Sequence, residues 1–314
     1  MRNTLIISES HYGTAKRAAD IIALILGNSR SVDVSKVPLE INKYKNIVLV
    51  FGFYGYNTGK KLKEYLVLEK NNMVTKNVAI IGVGLSCKDI TKYAESIENC
   101  IGKKAEFVDF VQGELRIDKL TEEDKIILMD FFKKTNMKFE DMGNFDKKKA
   151  IELASRLARI LNKPEQEMER EELINEINKF ITSHNTCTLS TGSGNFIRNT
   201  PIEHIYYKNN FYFISEGGFK FKGLLQNSNV CIAIFNNYTS MSNLKGLQVS
   251  GKGMLIPYLS EEYIEGMSFK GIKMETLNNI PINMNLIKVV PEQFEFLNTD
   301  FKNKGFDSKQ YYFA

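Results

Sequence analysis

The chain has 314 residues, which exceeds an ordinary single domain and favours two. Hydrophobic residues make up 43% of it and charged residues 25%, so a full core can form. The net charge of +5 is small, and basic residues alternate with acidic ones. This argues against a nucleic-acid-binding protein, which needs a concentrated basic surface.

The N-terminus enters a short apolar strand directly, without the features of a secretory signal. No segment approaches the roughly 18 consecutive apolar residues of a transmembrane helix. Four cysteines are scattered without a C-x-x-C pair, which favours reduced thiols. We therefore expect a cytoplasmic protein with no integral membrane segment.

In the first half, short apolar strands alternate with amphipathic helices. This alternation predicts an α/β domain in which helices cover both faces of a parallel sheet. The predicted strands are residues 5–7, 31–34, 47–51, 78–81 and 105–110, with helices after the first strand and at 62–68, 88–101, 122–134 and 147–161.

The pattern changes at residues 164–170, a charged stretch without apolar periodicity. We interpret it as a linker between a first domain, 1–163, and a second, 171–314. The second domain begins with an amphipathic helix and continues as a series of strands, which is typical of a barrel or sandwich. The predicted strands are residues 186–191, 201–207, 211–215, 230–235, 246–255 and 286–297, with a turn at 208–210.

A serine- and glycine-bearing loop joins the first strand to the first helix. A helix N-terminus presents unpaired N–H groups that favour a phosphate. Gly13 would let the backbone approach that phosphate, and Ser10 and Thr14 could donate hydrogen bonds. A loop with only a helix-capping role is the alternative. The candidate phosphate-binding residues are Ser10, His11, Tyr12, Gly13, Thr14 and Ala15.

Two further loops follow the third and fourth strands. Ligands bind at the carboxyl ends of strands in open parallel sheets, so these loops are expected to converge on one crevice. Tyrosine rings there could stack on a flat ring, and backbone amides could meet its polar edge. Alternatively, the loops only cover the edge of the sheet. The candidate residues are Tyr54, Gly55, Tyr56 and Asn57 in one loop and Gly84, Leu85 and Ser86 in the other.

With these motifs, residues 1 to about 163 resemble the flavodoxin-like domains related to bacterial protoporphyrinogen dehydrogenase. The resemblance implies a doubly wound parallel sheet of order 2-1-3-4-5 and noncovalent FMN. Ala15 replaces the usual final threonine, and the chain has no tryptophan for stacking on the flavin. The motifs are Ser10-x-Tyr12-Gly13, Gly52…Tyr54-x-Tyr56…Gly59 and Gly113…Asp118…Leu120…Asp124-Lys125.

A second candidate site follows a strand of the second half. Ser215 and Glu216 lead into two glycines and then into Lys220 and Lys222 at the beginning of a predicted helix. Two lysines at this spacing could hold a phosphate through their charge and the helix N-terminus. A solvated lysine pair on a surface helix is the alternative.

Residues from about 171 to 314 resemble the pyridoxamine 5′-phosphate oxidase-like family, the FMN-binding split barrels. The resemblance implies a mainly-β barrel with flanking helices and a homodimer with FMN at its interface. It places Lys220 and Lys222 at the phosphate, and Ser215 and Glu216 along the flavin together with Arg198, Asn199, Thr200 and Pro201. The Ser-Arg of the vitamin oxidases is replaced here, so vitamin B6 oxidation does not follow. The motifs are Thr200-Pro201-Ile202, Lys220-x-Lys222-x-Leu224, Asn227-x-Asn229-Val230, Val249-x-Gly251-x-Gly253 and Gly305…Gln310.

No hydrolase, NTPase or metal-binding motif is present in the sequence, and catalytic residues are not identifiable from it. A flavin carries its own redox chemistry, so an oxidoreductase does not need such motifs. We expect an FMN-dependent oxidoreductase or electron-transfer flavoprotein with one or two FMN per chain. The alternatives are a flavodoxin-type electron carrier whose barrel is a non-catalytic binding or dimerisation module, and a porphyrinogen- or quinone-coupled dehydrogenase. NAD(P)H, ferredoxin and a quinone all remain open as redox partners.

Overall fold

The computed structural model describes residues 4–53, 58–86, 88 and 90–314. The chain divides into two compact units, Met1–Lys163 and Pro164–Ala314. Within the described residues, no helix has the length and apolar character that crossing a membrane requires.

The first unit contains a five-stranded parallel sheet. Its order, β2-β1-β3-β4-β5, confirms the predicted 2-1-3-4-5 topology. The central strand β3 is buried along its whole length, as expected for a strand covered on both faces. The strands are β1 Thr4–Glu9, β2 Ser29–Asp33, β3 Asn46–Gly52, β4 Asn77–Gly84 and β5 Phe107–Gln112.

Helices cover both faces of this sheet, and their apolar spacing explains which side each one buries. On one face, Ala18 and Ile22 of α1 pack in a cluster with Leu157 of α6. On the other face, Leu66 of α2 and Ile97 of α4 pack against the odd-numbered residues of β1 and β3. The helices are α1 Thr14–Leu26, α2 Lys60–Leu68, α3 Lys70–Met73, α4 Ile90–Ile101, α5 Glu122–Lys134 and α6 Lys147–Leu161; a small ribbon pairs β6 Glu114–Leu115 with β7 Met142–Gly143.

The second unit is built on an antiparallel sheet of order β10-β11-β14-β13-β12-β8-β9, with β15 paired to β14. Strands β9 and β10 are consecutive in the chain, yet they lie at opposite ends of this order. The sheet must therefore curl until its ends approach, and this curled half-barrel confirms the predicted split-barrel fold. The strands are β8 Thr186–Ser193, β9 Phe196–Glu203, β10 Ile205–Tyr207, β11 Asn210–Ser215, β12 Asn229–Phe235, β13 Lys245–Ile256, β14 Asn285–Asn298 and β15 Lys309–Phe313.

Four helices accompany the barrel. The predicted amphipathic helix is α7, whose Ile177 and Ile181 are fully buried in the barrel core. Two helices between β13 and β14 were not predicted from the sequence, and they enclose a smaller cluster around Tyr263 and Met267. The helices are α7 Arg170–Thr182, α8 Lys220–Leu224, α9 Glu261–Phe269 and α10 Met274–Asn279.

The predicted strand 201–207 is wrong as a single strand, because the chain breaks at His204 between β9 and β10. The His204 side chain is 6% exposed, and its backbone N–H donates to the Asn185 carbonyl oxygen at 3.1 Å. The turn that follows is confirmed, since Lys208 and Asn209 both have positive φ, 49° and 60°.

The charged stretch 164–170 is tied to the second unit. The Glu165 N–H donates to the Asp307 carboxylate at 2.7 Å, and the Met168 N–H donates to the Gln310 side-chain oxygen at 3.1 Å. Met168 is 5% exposed and belongs to the barrel core. The absence of apolar periodicity therefore does not prevent this stretch from packing.

Candidate functional site

The loop between β1 and α1 presents an open helix N-terminus. Gly13 is the N-cap residue of α1 and has a φ of 90°, a conformation that other residues adopt only with strain. No side-chain hydrogen bond from the described residues caps this 13-residue helix. A Cβ added at Gly13 would meet nothing within 4 Å. The positive end of α1 therefore faces open space, where an anion would be stabilised.

Ser10 adds an unsatisfied donor to the same loop. Its Oγ is buried and has no hydrogen-bond partner among the described residues. Buried hydroxyls are nearly always hydrogen-bonded, so an orphan of this kind points to a group that the ligand would supply. Thr14 lies at the first turn of α1 with its side chain 8% exposed. Ala15 is fully buried in the sheet-facing core and supplies packing instead of a donor.

The side chains of His11 and Tyr12 contact the beginning of α5. The Tyr12 hydroxyl donates to the Asp124 carboxylate and accepts from the Thr121 N–H at 3.3 Å. His11 Nε2 lies 3.0 Å from Asp124 Oδ2. The Tyr12 hydrogen bond is the main cause that lowers the pKa of Asp124, while burial, followed by the bond to Asp124, raises the pKa of Tyr12. Asp124 was not among the predicted site residues, although it belongs to a motif behind the flavodoxin resemblance.

The loop after β4 lies at the same edge of the sheet as the loop after β1, because all the strands are parallel. Gly84 is required there, since a Cβ would come within 2.9 Å of the Phe53 ring. Leu85 is 43% exposed, and Ser86 Oγ accepts from the Lys88 N–H at 3.3 Å. The other predicted contacts, Tyr54, Gly55, Tyr56 and Asn57, lie outside the described residues.

A small cleft opens beside the first loop. It is lined by Tyr12, Thr14, Arg116 and Lys119, among others. Arg116 is held in place by hydrogen bonds to the Glu114 carboxylate at 3.1 Å and the Asn144 side-chain oxygen at 2.8 Å. The sequence did not indicate these two cations as part of the site, because they lie about a hundred residues from the loop.

In the second unit, Lys220 is a buried cation beside a glycine turn. Its side chain is 8% exposed, and its ammonium donates to Ser215 Oγ at 2.7 Å and to the Gly217 carbonyl oxygen. Both partners are neutral. Burial lowers the pKa of Lys220, the charge of Arg198 lowers it further, and the charge of Glu216 offsets part of this shift. A buried ammonium near a second cation is costly unless an anion compensates it.

Strand alternation divides the predicted residues 198–201 between two faces of the sheet. Arg198 pairs with Thr191, whose Oγ1 donates to the Lys220 carbonyl oxygen at 2.9 Å. Arg198 and Thr200 therefore lie on the face toward α8, where Thr200 Oγ1 is buried without a partner among the described residues. Asn199 and Pro201 lie on the opposite face. The structure thus brings only half of this set toward Lys220.

Lys222 and Glu216 differ from their neighbours in being exposed. The Lys222 ammonium lies 4.7 Å from the centre of the Phe196 ring, in a cation–π contact at the β8–β9 hairpin. The predicted helix is a single short segment of five residues, so a helix dipole contributes little here. The positive charge on the α8 side of the sheet therefore comes mainly from Lys220 and Arg198.

Residues 5–141 match the family model described as the Flavodoxin domain. The match confirms the flavodoxin-type resemblance predicted for the first unit. The match covers less than half of the 314-residue chain. It supports flavin binding by the first unit. Among curated proteins, none matches the chain.

Solved structures similar to this chain include a protein provisionally described as a pyridoxamine 5′-phosphate oxidase from Listeria innocua. It is 25% identical and covers 40% of this chain and 98% of its own, with a TM-score of 0.33. A haem storage protein from Vibrio cholerae is 16% identical, with coverages of 40% and 92% and a TM-score of 0.33. An FAD-binding protein from Mesorhizobium loti is 17% identical, with coverages of 38% and 89% and a TM-score of 0.32. TM-scores at this level do not bear on function.

Proposed function

We propose that the protein is an FMN-dependent oxidoreductase, with one FMN in the flavodoxin unit and a second in the barrel. The observation that carries the proposal is the orphan Ser10 hydroxyl beside the open N-terminus of α1. It lies within the residues that match the flavodoxin family, where a phosphate oxygen would satisfy it.

In the first unit, the chain binds and orients the cofactor. The Ser10 and Thr14 hydroxyls and the first backbone N–H groups of α1 would hold the phosphate. Gly84, Leu85 and Ser86 would line the flavin, together with residues 54–57. Bound FMN supplies the electron-transfer chemistry, and the protein tunes it by burial and hydrogen bonding.

In the barrel, Lys220 and Arg198 would hold the second phosphate, with the Thr200 hydroxyl as a further donor. The ammonium has three N–H donors, and two of them are used by Ser215 and Gly217. A phosphate would take the third and compensate the buried charge. Lys222 is exposed and lies over the Phe196 ring, so we expect it to contribute little to phosphate binding.

Counting the flavin tests both sites. We expect two equivalents of FMN per chain in the wild-type protein and one after Lys220→Ala. Lys222→Ala, in the same short helix, is the matched control and should retain two. One equivalent that Lys220→Ala leaves unchanged would rule out the barrel site. Anaerobic reduction by NAD(P)H, by reduced ferredoxin or by a quinol then identifies the electron donor.

A homodimer through the barrel is part of the proposal. The face of the sheet opposite α8 carries small and polar side chains, including Ser190, Cys231 and Ser250, which line a groove. Ala233 lies on the same face as Cys231, two residues along β12. A second copy would cover this face, which lies opposite the face that carries Arg198 and Thr200. Ala233→Arg should give a monomer in light scattering, whereas a wild-type monomer would contradict the dimer.

A further inference from the structure

We propose that Asp124 is a positioning residue for the cofactor phosphate: it holds loop 10–13 in the conformation that accepts the phosphate. The inference rests on the proposed function, because it requires FMN at this loop. Asp124 itself lies in α5, 112 residues after Tyr12 in the sequence.

The contacts of Asp124 fix two consecutive residues of the loop. Its carboxylate accepts from the Tyr12 hydroxyl and pairs with His11 Nε2 at 3.0 Å. The Thr121 N–H donates to the same hydroxyl from the other side, so Tyr12 is held as both donor and acceptor. The His11 and Tyr12 rings also meet edge to face, 4.5 Å between their centres. The loop is therefore anchored to α5 by side chains on its outer surface.

This anchoring matters because the loop has a demanding conformation. Gly13 is left-handed, and among the described residues no side chain caps α1 and none bonds the Ser10 hydroxyl. Ala15 supplies no hydroxyl to the phosphate. A binding site made of a few neutral donors depends on holding them in place beforehand, since ordering a loop on binding costs affinity.

The negative charge of Asp124 has the opposite effect, because it repels a phosphate dianion. Two features weaken this repulsion. The carboxylate is already paired with the His11 imidazole and the Tyr12 hydroxyl, and its side chain is 34% exposed, so water screens it. We therefore expect positioning to outweigh repulsion, so that removing the Asp124 carboxylate weakens FMN binding. Tighter FMN binding would mean that repulsion is the larger effect.

The experiment compares FMN with riboflavin, which lacks the phosphate. Both dissociation constants are measured by flavin fluorescence in the full-length Lys220→Ala protein, so that the first site alone is observed. Asp124→Ala should weaken FMN about tenfold and leave riboflavin within about twofold. Asp124→Asn, which retains one acceptor oxygen for Tyr12, should lose about threefold. A residue that only stabilises the fold would weaken both ligands equally.

Asp130→Asn is the matched control, because it removes a carboxylate of the same helix that pairs with Lys134. It should leave both affinities unchanged. An unchanged FMN-to-riboflavin ratio in Asp124→Ala and Asp124→Asn, or tighter FMN binding in either, overturns the inference. If the parent protein itself does not prefer FMN, the proposed phosphate site fails first. The near-isosteric Asp124→Asn keeps the test valid if Asp124→Ala does not fold.

Discussion

The two candidate phosphate sites use different physical means to attract an anion. In the flavodoxin unit, neutral donors lie at the N-terminus of α1, a helix of 13 residues, and Arg116 and Lys119 line the cleft beside it. In the barrel, a buried lysine lies near an arginine, and α8 is only five residues long. We therefore expect the first site to depend mainly on aligned backbone dipoles and the second on buried side-chain charge.

This difference determines how much each empty site destabilises the folded protein. In the first site, the unfavourable free energy comes from one buried hydroxyl without a hydrogen-bond partner among the described residues. In the second, burial and the charge of Arg198 destabilise the charged form of Lys220, and the charge of Glu216 only partly offsets them, so the pKa is lowered. We therefore expect cofactor binding to stabilise the barrel more than it stabilises the flavodoxin unit.

The largest expected effect is that of Lys220→Met on the barrel. Removing the buried cation should weaken FMN binding about 100-fold, because the phosphate then lies opposite an apolar side chain. The cofactor-free barrel should become more stable at neutral pH, since a desolvated charge is lost. Flavin titration and denaturant unfolding of the apoprotein measure the two effects. If Lys220→Met leaves the FMN affinity unchanged, the barrel site does not depend on side-chain charge and the proposed difference between the two sites is wrong.

Lys222→Met is the control for Lys220→Met. It removes an exposed ammonium above Phe196 and should change the affinity for FMN less than about threefold. The pKa of Lys220 lies below 10.5, so as pH rises the folded state loses this proton before the unfolded chain does. The cofactor-free wild type should therefore gain stability toward pH 10.5 relative to Lys220→Met.

A smaller effect is expected at the neutral site. Ser10→Ala should weaken FMN about tenfold in the flavodoxin unit, because one hydrogen bond to a charged phosphate is lost. The stability of the apoprotein should stay the same or rise, since an unsatisfied buried hydroxyl disappears. Isothermal titration and thermal unfolding measure both quantities.

Ser29→Ala is the control, and Ser29 is a hydroxyl residue of the same unit for which we expect the reverse of the Ser10→Ala result. Its Oγ donates to the Ala23 carbonyl oxygen at 2.8 Å, so its removal should cost stability and leave FMN affinity unchanged. If Ser10→Ala behaves like Ser29→Ala, the Ser10 hydroxyl has a structural role and the neutral site loses its main support.

The two units also differ in how much of them could be predicted from the sequence. The strand–helix alternation was enough to predict a parallel sheet with the loops of Gly13 and Gly84 at one edge, whereas the order of its strands came from the flavodoxin resemblance. Contacts between residues far apart in the chain could not be predicted, because the sequence around Tyr12 does not indicate that Asp124 binds it. In the barrel, alternation implies that Arg198 and Asn199 face opposite sides, but which side faces Lys220 depends on pairing with β8. The break at His204 has no local signal, because tertiary packing buries that side chain.

The smallest predicted effect is a pH response confined to the barrel. Burial lowers the pKa of His204 below 6.5, so as pH falls the unfolded chain takes up this proton before the folded state does. The barrel should therefore lose stability as pH drops below about 6.5, by about 1.4 kcal/mol for each unit of difference between the two pKa values. Hydrogen exchange of residues 205–215, corrected for intrinsic rates, should report the loss, while residues 4–9 of the flavodoxin unit should not. His204→Gln should abolish the response and His184→Gln, at a partly exposed histidine bonded to Asn236, should preserve it. An equal response in both units would mean that His204 is not its source.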